Sequence, residues 1–267
     1  NCNFCSVTKF WGPKIRTKPL ENVEKELLQI KSLGTNRIFF TDDNFIADIS
    51  YTKNLLDLLK KHDFSWICQV STNIYRHEDL IVEMSKAGCS ALYMGIETFS
   101  EENLEDINKK FNKMADYETL FALFNKSNIR VTASMIIGLD GDTRETLDNM
   151  LQRLIHLRVS YAQFFLLQLL PGTQIREQFL RENRIIDHNW DHQNGTQVTF
   201  QPRSFQVEEL QDYYWNLNKK FYSYKSIFRR LITLSKFKGG INSIIVPLKS
   251  NLYFLKKLNN GLHPIEN

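Results

Sequence analysis

The sequence predicts an α/β fold of parallel strands covered by helices, and three observations carry that expectation. Between residues 20 and 170, amphipathic stretches alternate with short apolar runs at a repeat of about 30 residues. The apolar runs are continuous and rich in β-branched and aromatic residues, as strands buried on both faces are. Each run ends in polar or glycine residues. Whether such strands curl into a (β/α) barrel or lie in an open doubly wound sheet is not decided by periodicity. Both architectures put the ligand site at the C-terminal ends of the strands.

Residues 21–33 place Val23, Leu27, Ile30 and Leu33 at helical spacing and stop at Gly34. A strand over 37–40 then ends in Thr41-Asp42-Asp43-Asn44. A helix over 51–62 leads to a strand at 66–70 that ends in Ser71-Thr72-Asn73, and a helix over 78–87 to a strand at 91–94 that ends in Gly95-Ile96-Glu97. A helical region reaching Lys126 precedes a strand at 131–137 that ends in Gly138-Leu139-Asp140-Gly141. The last repeat is a helix over 144–157 and a strand over 162–169, closed by Pro171-Gly172-Thr173. Beyond it the repeat stops: a helix over 176–184, an irregular segment through 200, and one helix over 207–230 are expected. The chain thus divides into a barrel-like part, 1–173, and a mostly helical extension, 174–267.

Composition excludes disordered, collagenous and disulfide-scaffold classes, since 42% of the 267 residues are apolar and 24% charged. A formal charge of +4 is too small to imply nucleic acid. Four cysteines, two of them in the first five residues, point to a reducing compartment. With no run of 18 apolar residues and no signal peptide, a soluble cytoplasmic protein is expected. The chain opens on Asn1 rather than Met, so a segment upstream is expected as well.

Cys2-Asn3-Phe4-Cys5 puts two thiols within reach of one metal or cluster. Such a pair is read as zinc, as a redox dithiol or as part of an iron–sulfur site. Cys68 and Cys89, in or beside predicted strands, form no second pair of this kind, and no strand precedes the motif as a thioredoxin-like dithiol requires. For Asp42, Asp43, Ser71, Asn73, Glu97, Gly138 and Asp140 the plain alternative is a cap or turn; their convergence on one end of the sheet favours a site.

With these residues in hand, the chain resembles the radical S-adenosylmethionine superfamily, whose CxxxCxxC loop holds a [4Fe-4S] cluster. Cys2 and Cys5 match the second and third cysteines; the first would fall before Asn1, as would the first barrel strand. Cys5-Ser6-Val7-Thr8-Lys9-Phe10-Trp11-Gly12, Phe40-Thr41-Asp42-Asp43-Asn44-Phe45, Met94-Gly95-Ile96-Glu97-Thr98, Ile137-Gly138-Leu139-Asp140-Gly141-Asp142-Thr143 and Leu170-Pro171-Gly172-Thr173 recur in order. They look like the branch in which a cobalamin-binding domain precedes the barrel, over about residues 1 to 230.

The resemblance implies an incomplete parallel (β/α) TIM-like barrel with a C-terminal helical extension. It implies a [4Fe-4S] cluster held by Cys2 and Cys5, S-adenosylmethionine (SAM) cleaved by one electron to a 5′-deoxyadenosyl radical, and radical modification of an organic or lipid-like small molecule, with cobalamin-dependent methylation as one form. A flavodoxin or ferredoxin would donate the electron. Asp42 or Asp43 would meet the amino group of SAM, and Glu97, with Ser71 and Asn73, its ribose hydroxyls or methionine end. Ile136, Ile137 and Gly138 would pack against adenine, with plain strand core as the alternative for the two isoleucines. Arg16 would balance cluster charge or be a solvated arginine. A non-catalytic binding scaffold and a zinc or dithiol protein are the competing readings.

Between Lys219 and Lys238 basic residues alternate with apolar ones without an acidic residue. This is the pattern of a helix on an anionic membrane surface. A solvated face or partner interface is the favoured reading.

Overall fold

A computed structural model of the chain describes residues 2–109, 112, 117–231 and 242–264. After the cysteine loop come α1 (Val7–Trp11), α2 (Leu20–Ser32), β1 (Arg37–Phe39), α3 (Ile49–His62), β2 (Ser65–Val70) and α4 (Glu78–Lys86). They are followed by β3 (Cys89–Glu97), α5 (Glu101–Asp106), α6 (Tyr117–Lys126), β4 (Arg130–Ile137), α7 (Arg144–His156) and β5 (Tyr161–Leu166). The extension holds α8 (Gln174–Arg181), α9 (Val207–Phe221), α10 (Tyr224–Leu231) and α11 (Asn242–Asn259).

All five strands are parallel and lie in sequence order, β1 to β5, forming a curled half-barrel. Side chains alternate across it. Cys68, Met94, Met135, Ile137 and Phe164 are buried in the core shared with the helices. The other face carries two polar rows set by the strand register, Gln69–Tyr93–Thr132–Tyr161 and Gly95–Ser134–Gln163. Apart from Thr132, these residues are half-buried or exposed. That face is the lumen of the half-barrel.

Helix starts follow local chemistry. The carboxylate of Asp48 accepts from Tyr51 N at 2.9 Å, Thr143 and Thr146 form a capping box on α7, and Ser100 and Thr173 cap α5 and α8.

The extension differs from the single helix expected over 207–230. The chain turns at Tyr222 and Ser223, because the Tyr222 hydroxyl is drawn to the free edge of β5, where it donates to Ala162 O (2.8 Å) and accepts from Ala162 N (3.3 Å). The Ser223 hydroxyl oxygen then accepts from Ser226 N at the start of α10. Arg230, read from sequence as one of a run of surface cations, is fully buried instead. Its guanidinium donates to Val159 O and Ser160 O (both 2.9 Å), Phe221 O (3.1 Å), Asn251 Oδ1 (2.7 Å) and Ser226 Oγ (3.2 Å), stacked 3.9 Å over the Phe221 ring. A sheet edge needs covering, and here side chains of α9, α10 and α11 do it. Ile232, Leu234, Lys236, Phe237 and Lys238 of the basic run lie outside the described residues. No helix among the described residues is long and apolar enough to cross a membrane.

Candidate active site

The cysteine loop is clamped over the C-terminal end of the sheet. Asn3 donates from its backbone N to Ile107 O (3.1 Å) and from Nδ2 to Asp106 O (2.6 Å), at the end of α5. Asn3 O accepts from Ile175 N in α8 (3.2 Å), and Phe4 packs on the core. Cys2 and Cys5 are therefore carried side by side, half-buried and free. Burial pushes the Cys2 thiol up, while the nearby Lys109 ammonium pulls it down and Glu97 adds to the rise.

Glu97 ends β3 in the left-handed region, φ 67°, where the β3 to β4 register slips. A non-glycine residue held there is strained, and such strain gathers at functional sites. Its carboxylate is buried and accepts from Lys109 Nζ at 2.5 Å; Lys109 also donates to Gly95 O at 2.9 Å. Gly95 is required for this approach, since a Cβ there would stand 2.4 Å from Glu97 Oε1 and 2.8 Å from Lys109 Nζ.

Ser71 and Asn73 form a second cluster at the end of β2. Ser71 N donates to Asn44 Oδ1 (3.1 Å), and the Ser71 hydroxyl donates to Asn73 Oδ1. The cluster is tied to β3 through Thr72, whose hydroxyl donates to Asn112 Oδ1, and Asn112 Nδ2, which donates to Ile96 O at 2.9 Å. Ser71 and Asn73 are thus linked through Thr72 and Asn112 to the end of β3, where Glu97 lies, and Cys2 and Cys5 share the loop above.

The other expected residues are placed differently. Asp42 lines a cleft of about 340 Å³ with Arg16, Lys18, Asn44 and Tyr51, outside β1, whereas Asp43 does not border it. Neither caps a helix, because Asp48 does. Arg16 donates from Nη2 to Trp11 O at 2.9 Å and so fastens the loop after α1. Ile137 faces the helices with Met135; Ile136 is the residue on the lumen side, opposite Phe165. Gly138 has φ 94°, and the position of its absent Cβ lies 2.7 Å from the Phe200 ring and 3.1 Å from Leu210. Its missing side chain makes room for this chain's own residues. Asp140 is bound by Arg184 (2.6 and 3.0 Å) and Arg203 (2.9 Å), which fixes the extension to the end of β4.

Sequence reasoning missed Lys109, Asn112, Asn44 and the pair Asn103 and Asp142. Asp142 is buried and accepts from Gly138 N (2.8 Å), Leu139 N (3.0 Å) and Asn103 Nδ2 (2.7 Å). Burial pushes this carboxyl up to about 7, against those three donors. A carboxyl whose folded pKa exceeds its ordinary 3.8 holds more protons folded than unfolded, so its contribution to stability falls as pH rises between those values. The stability of wild type relative to Asp142→Asn should therefore fall by up to about 1.4 kcal/mol per pH unit across that window and level off above it. Denaturant titrations at several pH values check this; a pH-independent difference would contradict it.

The donor set suits an iron–sulfur cluster in part. Two thiols on one loop can each hold an iron. Among the described residues no third His, Cys, Asp or Glu gathers with them as a zinc site would need. Cys68 and Cys89 are buried in the core, and burial raises the Cys68 thiol well above its ordinary range.

Residues 1–154 match the family model described as the Radical SAM superfamily. The chain is 24% identical over 233 residues to bacteriochlorophyllide d C-12(1)-methyltransferase of Chlorobaculum tepidum, covering 86% of this chain and 51% of that protein. It is 29% identical over 196 residues to hopanoid C-2 methylase of Rhodopseudomonas palustris, covering 69% and 36%. The chain thus spans about half the length of these curated relatives or less. Among solved structures it is similar to the radical S-adenosylmethionine methyltransferase TsrM of Kitasatospora setae, solved with cobalamin and a [4Fe-4S] cluster bound. The TM-score is 0.59 at 20% identity, over 71% of this chain and 38% of that one. That likeness is one of fold.

Proposed function

This chain belongs to the radical SAM superfamily, and from that premise we propose that it is the barrel portion of an iron–sulfur enzyme that cleaves SAM reductively and methylates an organic or lipid-like small molecule. The observation that carries the reading is the cysteine loop tied by Asn3 to the end of α5 and to α8, together with the strained, buried Glu97 paired with Lys109 at the C-terminal end of β3. When bound, the cluster supplies the electron and SAM the carbon radical that start the reaction. Cys2 and Cys5 would hold two of its irons.

Glu97 serves as a fixed acceptor for hydroxyl or ammonium hydrogens of SAM, oriented by Lys109 so that nothing reorganises on binding. Ser71 and Asn73 offer neutral hydrogen-bonding groups beside it, and Asp42 or Asp43 the carboxylate for an ammonium. Ile137 and Gly138 supply backbone along the end of β4. The substrate occupies the lumen, where Gln69, Tyr93, Ser134 and Gln163 offer uncharged donors and acceptors, with Gln163 Nε2 3.4 Å from Tyr93 Oη. Methylation is supported by the names of the relatives, and a lipid-like substrate by the hopanoid methylase among them. Cobalamin as methyl carrier, held by another part of the protein, and a flavodoxin- or ferredoxin-like electron donor complete the proposal.

Equilibrium dialysis of SAM tests it. Glu97→Gln removes a charged acceptor, and charge-assisted bonds are worth about 1.5 to 3 kcal/mol. SAM affinity should fall by about ten- to a hundredfold. Unchanged affinity would contradict the assignment.

A further inference from the structure

We propose that α10 and α11 form a docking surface for an anionic lipid bilayer. The two helices pack on each other at the β5 edge of the half-barrel. Each turns one face inward: Ile227, Arg230 and Leu231 of α10, and Asn251, Leu255 and Leu258 of α11, are buried. Their outward faces are not polar as those of a surface helix would be. On α10, Tyr224 is 73% and Phe228 65% exposed, one turn apart. On α11, Tyr253 is 55% and Val246 45% exposed, and Leu248 and Leu252 also reach solvent. At 3.6 residues per turn, Leu248, Leu252, Lys256, Lys249, Tyr253 and Val246 fall in this order around an arc of roughly 160°. It is an apolar arc with lysines set into it.

Charge decides the occupant. Residues 213–265 contain no Asp or Glu. Among the described residues, Lys225, Arg229, Lys249 and Lys256 make no ion pair, although all four are exposed beside the apolar side chains. Exposed aromatic and aliphatic groups framed by unpaired cations, on a segment whose own sequence holds no carboxylate, match the boundary between headgroups and acyl chains, where rings and methyls enter and lysines meet lipid phosphate. The surface is built from both helices, extending beyond the basic run at 219–238, and it does not depend on the chemistry proposed for the barrel.

Vesicle co-sedimentation of the chain tests it, with phosphatidylcholine vesicles containing phosphatidylglycerol compared with phosphatidylcholine alone. Binding is expected only to the anionic vesicles and should decline as salt is raised. Lys249→Glu with Lys256→Glu, and separately Leu252→Ser with Tyr253→Ser, should each weaken it about tenfold while leaving the melting temperature unchanged. A chain that stays in the supernatant, a variant that sediments as well as wild type, or a dimer of this chain that the same substitutions dissolve would overturn the proposal.

Discussion

Replacing Cys2 or Cys5 by Ala is expected to reduce bound iron to background after anaerobic incubation with iron and sulfide, and to abolish 5′-deoxyadenosine formation, while leaving the fold intact. The separation of the two effects follows from how the loop is held. Its geometry depends on the backbone and amide of Asn3, on Ile107 O and Ile175 N, and on the packing of Phe4. Among the described residues neither thiol of the loop makes a hydrogen bond. Truncating either should therefore cost less than about 1 kcal/mol of stability, in the range of substitutions away from a packed core. Iron and sulfide analysis beside a thermal melt reads both sides. Retained iron in both variants would remove the cluster from this loop, and zinc in place of iron would favour the metal reading set aside above.

Arg230→Met should be the most destabilising single substitution in the extension. Among the described residues the guanidinium is the sole donor set for acceptors at Val159, Ser160 and Phe221, apart from the Asn251 amide that also reaches Ser160 O at 3.2 Å. Methionine keeps much of the volume and supplies none of the hydrogen bonds, leaving buried carbonyl oxygens unpaired at about 1 to 3 kcal/mol each, not fully additive. A loss of about 3 to 5 kcal/mol is expected, lowering the melting temperature by roughly 6 to 15 °C for a chain of this size. Arg229→Met, on the exposed neighbour, is the control and should stay within about 0.5 kcal/mol. Equal melting of the two variants would show that Arg230 does not lock α10 and α11 to β5.

The barrel repeats were legible because each strand here is a continuous apolar run and each helix shows the 3.6-residue period; the observed strands start and end within a few residues of expectation. Glu97 was legible as a polar residue at a strand end, and the cysteine pair by its spacing alone. Lys109 was not, because its role exists only once the chain returns past α5 to place an ammonium on a carboxylate twelve residues earlier in sequence. The break at Tyr222 was hidden for a related reason: an aromatic stripe reads as one helix until the edge of β5 claims a hydroxyl. α11 left no clear sequence signal, since Pro247 interrupts it and both of its faces are apolar, which flattens the periodicity. The packing around Gly138 was not legible either, because Phe200 and Leu210, which fill the place of its absent Cβ, come from far along the chain.

The most direct test of the account is 5′-deoxyadenosine release by the native full-length protein that carries these residues, reconstituted anaerobically, reduced and given SAM. The account predicts release that depends on Cys2 and Cys5 and falls in Glu97→Gln with the weakened SAM affinity. A protein that holds its cluster and binds SAM but releases no 5′-deoxyadenosine, or one in which Glu97→Gln behaves as wild type, would contradict it.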